Sequence, residues 1–109
     1  QLTSILSILH RGTGVVLSMG SVILVSWIIA LTLGRETYLM YSKIINHWLS
    51  HLVLLGFTFG LFYHLSNGIR HLFWDLGYGF ELDVVFKSGV VVIFSALVLT
   101  SLVWIYILF

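Results

Sequence analysis

Charged residues divide this chain into three long apolar stretches. Residues 12–34 lie between Arg11 and Arg35, residues 44–69 between Lys43 and Arg70, and residues 88–109 follow Lys87. Each is long enough for the roughly 20 apolar residues that a helix needs to cross a ~30 Å hydrocarbon core. The strict apolar–polar alternation of a spanning β-strand is absent. The pattern predicts an all-α integral membrane chain with three transmembrane helices, over about residues 6–34, 44–75 and 84–108, in one transmembrane domain covering 1–109. The connections, 35–43 and 74–87, are short loops in this reading, so neighbouring helices should run antiparallel. Glu81 and Asp83 sit where they can open the third helix, near its positive end.

Composition agrees with the pattern. Of 109 residues, 60% are hydrophobic and 8% charged, and the mean hydropathy is +1.11. A soluble domain of this size could not assemble a polar surface from so few charges. Cysteine and proline are absent, which excludes disulfides, cysteine-ligated clusters and c-type haem attachment. A net charge of +1 gives no reason to expect nucleic acid. Arg11, Arg70 and Lys87 fall on the side of the N-terminus, and Arg35 and Lys43 on the other. That small excess favours an inside N-terminus. The chain opens on Gln1 rather than Met. It is therefore expected to be processed or to lack its beginning, and no signal peptide is recognisable.

The second span carries the densest chemistry. On a helical wheel Gly56, Gly60, His64, Asn67, Gly68, His71 and Asp75 share one arc of about 120°. Ionisable groups inside a span usually face a partner, a cofactor or water. Gly60 and Gly68 flank His64 by one turn each, so both are expected to clear space for a flat macrocycle bound to the imidazole. The same stripe is compatible with simple small-residue packing against another helix, or with an ion or proton path. His64 and His71 lie about 10.5 Å apart along the axis, too far to bind opposite faces of one iron. His64, deep in the apolar window, is the candidate axial ligand, and a second axial group would come from another chain. His71 suits the interface or haem propionates. His47 and His51 point away from this face and, beside Trp48, read as interfacial residues rather than a metal pair.

On the first span, Ser7, Arg11, Gly14, Ser18 and Ser21 form a small, polar face typical of helix packing. Arg11 is the exception and could simply snorkel to the surface. Ser7 lies one turn before it. A hydroxyl and a guanidinium converging there would suit a quinone carbonyl. His10, next in sequence, could reach a propionate. Antiparallel helices would bring Arg11 and Asp75 to comparable depth.

Two runs resemble a known family. Ser7-Ile8-Leu9-His10-Arg11-Gly12-Thr13-Gly14 is similar to the SxxHRxTG signature of the cytochrome b membrane anchors of succinate dehydrogenase, respiratory complex II (the large, C-type anchor). His64-Leu65-Ser66-Asn67-Gly68-Ile69-Arg70-His71-Leu72-Phe73-Trp74-Asp75-Leu76-Gly77 is similar to its second signature, HxxNGxRHLxWDxG. The resemblance covers nearly the whole chain, without the family's usual N-terminal extension. It implies a non-autonomous subunit of a quinone-linked succinate dehydrogenase, part of a multi-subunit anchor bundle. It implies haem b on His64, with the other axial His from a second membrane-anchor subunit. It implies ubiquinone as substrate, contacted by Ser7 and Arg11 together with the iron–sulfur subunit and the companion anchor. His10, Arg11 and His71 would lie towards the propionates. Asp75 is added to the quinone side from depth and wheel position alone. A flavoprotein subunit would oxidise succinate. The setting would be a bacterial cytoplasmic or mitochondrial inner membrane, with the N-terminus on the cytoplasmic or matrix side and lipid around the spans. A haem-free structural anchor, a quinol:fumarate reductase anchor and a small proton pathway through His64, His71 and Asp75 are the competing readings.

Overall fold

The computed structural model describes residues 2–109. It holds four helices: α1 (Leu2–Thr32), α2 (Arg35–Ile45), α3 (Trp48–Asp75) and α4 (Leu82–Leu108). α1, α3 and α4 are the three helices long and apolar enough to span a membrane. The segment expected to be a loop, 35–43, is helical instead. Gly34 takes φ 114° at the junction, a left-handed conformation that glycine reaches without a Cβ clash. Chain direction changes there and α2 turns back along α1. The Tyr41 hydroxyl meets Ser26 Oγ at 2.6 Å and the Ile23 carbonyl at 3.0 Å. Arg35, Glu36 and Lys43 gave this stretch its polar character. Polarity marked it correctly as lying outside the spans, but it does not prevent a short amphipathic helix.

α3 begins at His47, whose Nδ1 accepts the Leu49 backbone N–H at 3.2 Å. His47 is therefore an N-cap, a local role that interfacial placement alone did not reveal. α3 ends in a Schellman turn: Gly77 N–H donates to the Trp74 carbonyl and Tyr78 N–H to the Phe73 carbonyl, both at 2.9 Å, with Gly77 at φ 90°. α4 starts after Glu81 and carries Asp83 in its first turn, as the acidic pair predicted.

α3 is the central element and packs most extensively on α4, then on α1. The enclosed core is small: Leu6, Tyr63, Val92 and Ala96, with Leu2, Phe59, Phe62 and Ile93 around it. Lipid is as apolar as leucine, so helices in a membrane associate through close packing and polar bonds rather than hydrophobic transfer. Here Tyr63 donates to the Leu6 carbonyl at 2.7 Å and Trp104 Nε1 to Thr58 Oγ1 at 3.2 Å. Gly20 admits the Phe57 ring, which a side chain at that position would strike. Most large apolar side chains on all three spans face outward, as a lipid- or partner-covered bundle requires.

Candidate functional site

Three histidines meet where the first third of α1 crosses the last third of α3. His10 and His64 stack with ring centroids 4.1 Å apart and planes 8° from parallel. His10 and His71 lie 5.3 Å apart at 43°, and His71 meets Trp74 edge-on at 4.8 Å. The contact between His10 and His71 brings the start of α1 and the end of α3 together, as antiparallel helices should.

Thr13 fixes the centre of this cluster. Its Oγ1 donates to the His10 carbonyl at 2.9 Å and lies 3.2 Å from His64 Nδ1. A Cβ on Gly14 would come within 3.3 Å of His64 Cε1, so glycine there lets the imidazole approach the α1 backbone. The ring is half-buried. Stacking covers one of its faces and Thr13 occupies Nδ1, which leaves the in-plane direction at Nε2, the one an axial ligand uses. His10 Nδ1 is buried without a hydrogen-bond partner, a vacancy that a polar group from outside this chain would fill. Among the described residues no three His, Asp or Glu side chains are grouped to hold a metal ion on their own.

The two glycines beside His64 differ. Gly60 is buried under α1, with Thr13 and Val16 in ordinary contact at 3.7–3.8 Å from where its Cβ would stand. It therefore serves the α1–α3 contact and does not flank an open gap. Gly68 has no atom within 4 Å of that point, so the space on that side of His64 is free.

Ser7, Arg11 and Asp75 are all exposed. Among the described residues none joins the hydrogen-bonded network around His64. They share one end of the bundle with the histidines but face outward. A groove of about 450 Å³ lies between α3 and α4, lined by Ile69, Arg70, Phe73, Tyr78, Val84 and Val91 among others. It contains none of the six candidate residues.

Arg70 is the residue that sequence reading passed over. It marked a window edge, entered the charge count and stood in the second signature without a role of its own, yet it is 6% exposed. Nε donates to Ser88 Oγ at 2.9 Å, Nη1 to Asn67 Oδ1 at 3.1 Å and Nη2 to the Val85 carbonyl at 2.9 Å. The guanidinium also lies 4.4 Å over the Trp74 ring. A signal was present: Tyr63, Asn67, Arg70 and Trp74 recur at spacings of four, three and four, a second polar face rotated from the histidine face.

Residues 1–103 match the model of the family described as succinate dehydrogenase/fumarate reductase transmembrane subunit. The chain is 43% identical over 105 residues to a succinate dehydrogenase cytochrome b556 subunit of Rickettsia felis, covering 96% of this chain and 82% of that one. It is 36% identical over 101 residues to the cytochrome b556 subunit of Paracoccus denitrificans, covering 93% and 78%. It is 42% identical over 90 residues to the human mitochondrial cytochrome b560 subunit, covering 81% of this chain and 53% of that one.

Proposed function

This chain belongs to the succinate dehydrogenase/fumarate reductase transmembrane-subunit family, and from that membership we propose that it holds haem b through His64 and helps build a ubiquinone-reducing site. The observation that carries the reading is the setting of His64: half-buried and engaged at Nδ1 by Thr13, so that Nε2 is the nitrogen left for a ligand. A hydrogen bond at the nitrogen that does not face the metal orients a metal-binding histidine. A histidine of a companion anchor would complete the haem's hold, as the family resemblance implies. His10, with its unpartnered Nδ1, takes a propionate together with Arg11 and His71. Bound there, the haem supplies one-electron storage beside the quinone.

Ser7 and Arg11 act on the outward side of α1, where the iron–sulfur subunit and the companion anchor complete the pocket. The Ser7 hydroxyl donates to a quinone oxygen. The Arg11 guanidinium stabilises negative charge as it develops on that oxygen. Asp75 lines the same end. Flavin and iron–sulfur chemistry belong to the soluble partners, because a chain without cysteine offers no cluster ligands. The complex sits in a bacterial cytoplasmic or mitochondrial inner membrane, with the N-terminus on the cytoplasmic or matrix side.

The test is the reduced-minus-oxidised spectrum of the purified complex. A low-spin b-type spectrum is expected, lost or converted to high-spin in His64→Ala. An unchanged spectrum in that variant rejects the ligand assignment. The packing of Gly60 against α1 favours a second reading, a haem-free structural anchor. Haem stoichiometry in the intact complex separates the two.

A further inference from the structure

We propose that Thr13 is a positioning residue for the haem ligand: its hydroxyl selects the His64 tautomer and tunes the iron through it. The inference rests on the assignment of His64 as axial ligand and goes one shell further out.

A threonine hydroxyl has one proton and two lone pairs. In this structure the proton is committed, because Thr13 Oγ1 lies 2.9 Å from the His10 carbonyl, and a carbonyl can only accept. Oγ1 must therefore accept from its other neighbour, His64 Nδ1, at 3.2 Å. That requires a proton on Nδ1, and a neutral imidazole protonated there carries its lone pair on Nε2. The chain from Nδ1–H to Oγ1–H to the His10 carbonyl thus has a single sense. Thr13 is 9% exposed, so water is poorly placed to substitute for the hydroxyl. The His10 carbonyl that orients Thr13 belongs to the residue whose ring stacks on His64 at 4.1 Å. The ring is thereby held on one face, at one nitrogen and along the Gly14 backbone, which restrains its rotation about χ2.

The electronic consequence has a sign. Accepting the Nδ1 proton gives the imidazole partial anionic character and makes it a stronger donor to iron. A stronger donor favours the ferric state, so removing the acceptor should raise the haem midpoint potential.

Thr13→Val keeps the shape and deletes the hydroxyl, Thr13→Ala deletes it without risk of overpacking, and Thr13→Ser restores it. Each is measured in the assembled complex by haem stoichiometry and by potentiometric titration of the haem band, with His64→Ala alongside. The expected result is an upward shift of the midpoint, or haem loss from a complex that still assembles, in both Val and Ala, with Ser returning to wild-type behaviour. A wild-type midpoint and stoichiometry in Val or in Ala overturns the proposal. Equal perturbation by Ser also overturns it, since packing and not the hydroxyl would then be responsible. If His64→Ala retains the wild-type spectrum, the underlying ligand assignment has failed instead.

Discussion

At the scale of single residues, the site separates into inward and outward groups, and each group has its own test. Ser7 and Arg11 face away from the chain's interior, so truncating them leaves the helix contacts intact. Ser7→Ala should lower quinone reduction about 10-fold, the worth of one hydrogen bond. Arg11→Ala should lower it by about 100-fold, as expected for a charged donor aimed at developing negative charge. In both variants succinate oxidation by an artificial acceptor should persist. Equal loss of the two activities would mean that the complex fails to assemble. Gly68 offers a third probe, because nothing occupies the space its side chain would enter. Gly68→Leu is expected to exclude haem while the anchor still inserts, as seen in the haem-to-flavin ratio. The same spacing read both glycines as clearance for a guest. Only packing reveals that Gly60 meets α1, because a wheel shows which residues share a face and not what that face touches.

At the scale of elements, the helix junctions rest on backbone conformations that only glycine takes cheaply. Gly77→Ala forces φ 90° on a residue with a Cβ, at about 1 kcal/mol, and should lower the thermal midpoint of the purified complex measurably. The junction between α3 and α4 is also tied by Arg70. Arg70→Met keeps much of the length and removes all three hydrogen bonds, orphaning the Asn67 carbonyl oxygen inside the bundle. Two of the three cross to α4, and interhelical polar bonds in membranes average about 0.6 kcal/mol each, so a loss of roughly 1 kcal/mol is expected in denaturation of the complex, with Arg70→Lys only partly restoring it. Spans were legible because length and the absence of charge suffice to identify them. The helix α2 was not, since its polar composition fits a loop equally well and its docking depends on Tyr41 reaching Ser26 and Ile23. Arg70 was missed because a charge at the edge of a window looks like a boundary until its neighbours on α4 are known.

At the scale of the whole molecule, a small enclosed core and a broad apolar exterior describe a chain built to be covered. The long outward rows on α1, α3 and α4 have no cover within the chain itself. The chain extracted alone should therefore aggregate or lose its fold in mild detergent, whereas the intact complex should remain monodisperse on size-exclusion chromatography. The histidine signature, the order of the two motifs and the number of spans were all readable in advance because they are properties of the chain itself. Ser7, Arg11 and Asp75 were named from the sequence as well, but their outward orientation is set by the packing of α1 on α3 and shows only in the structure. Neighbouring residues on α3 grip opposite partners. Arg70 holds α4, while His71, about 100° further around the axis, reaches towards α1. A shaft held on two sides cannot twist at one bearing without turning at the other. Any rotation of α3 at the Tyr78–Phe80 corner would therefore be felt at the imidazoles packed against α1.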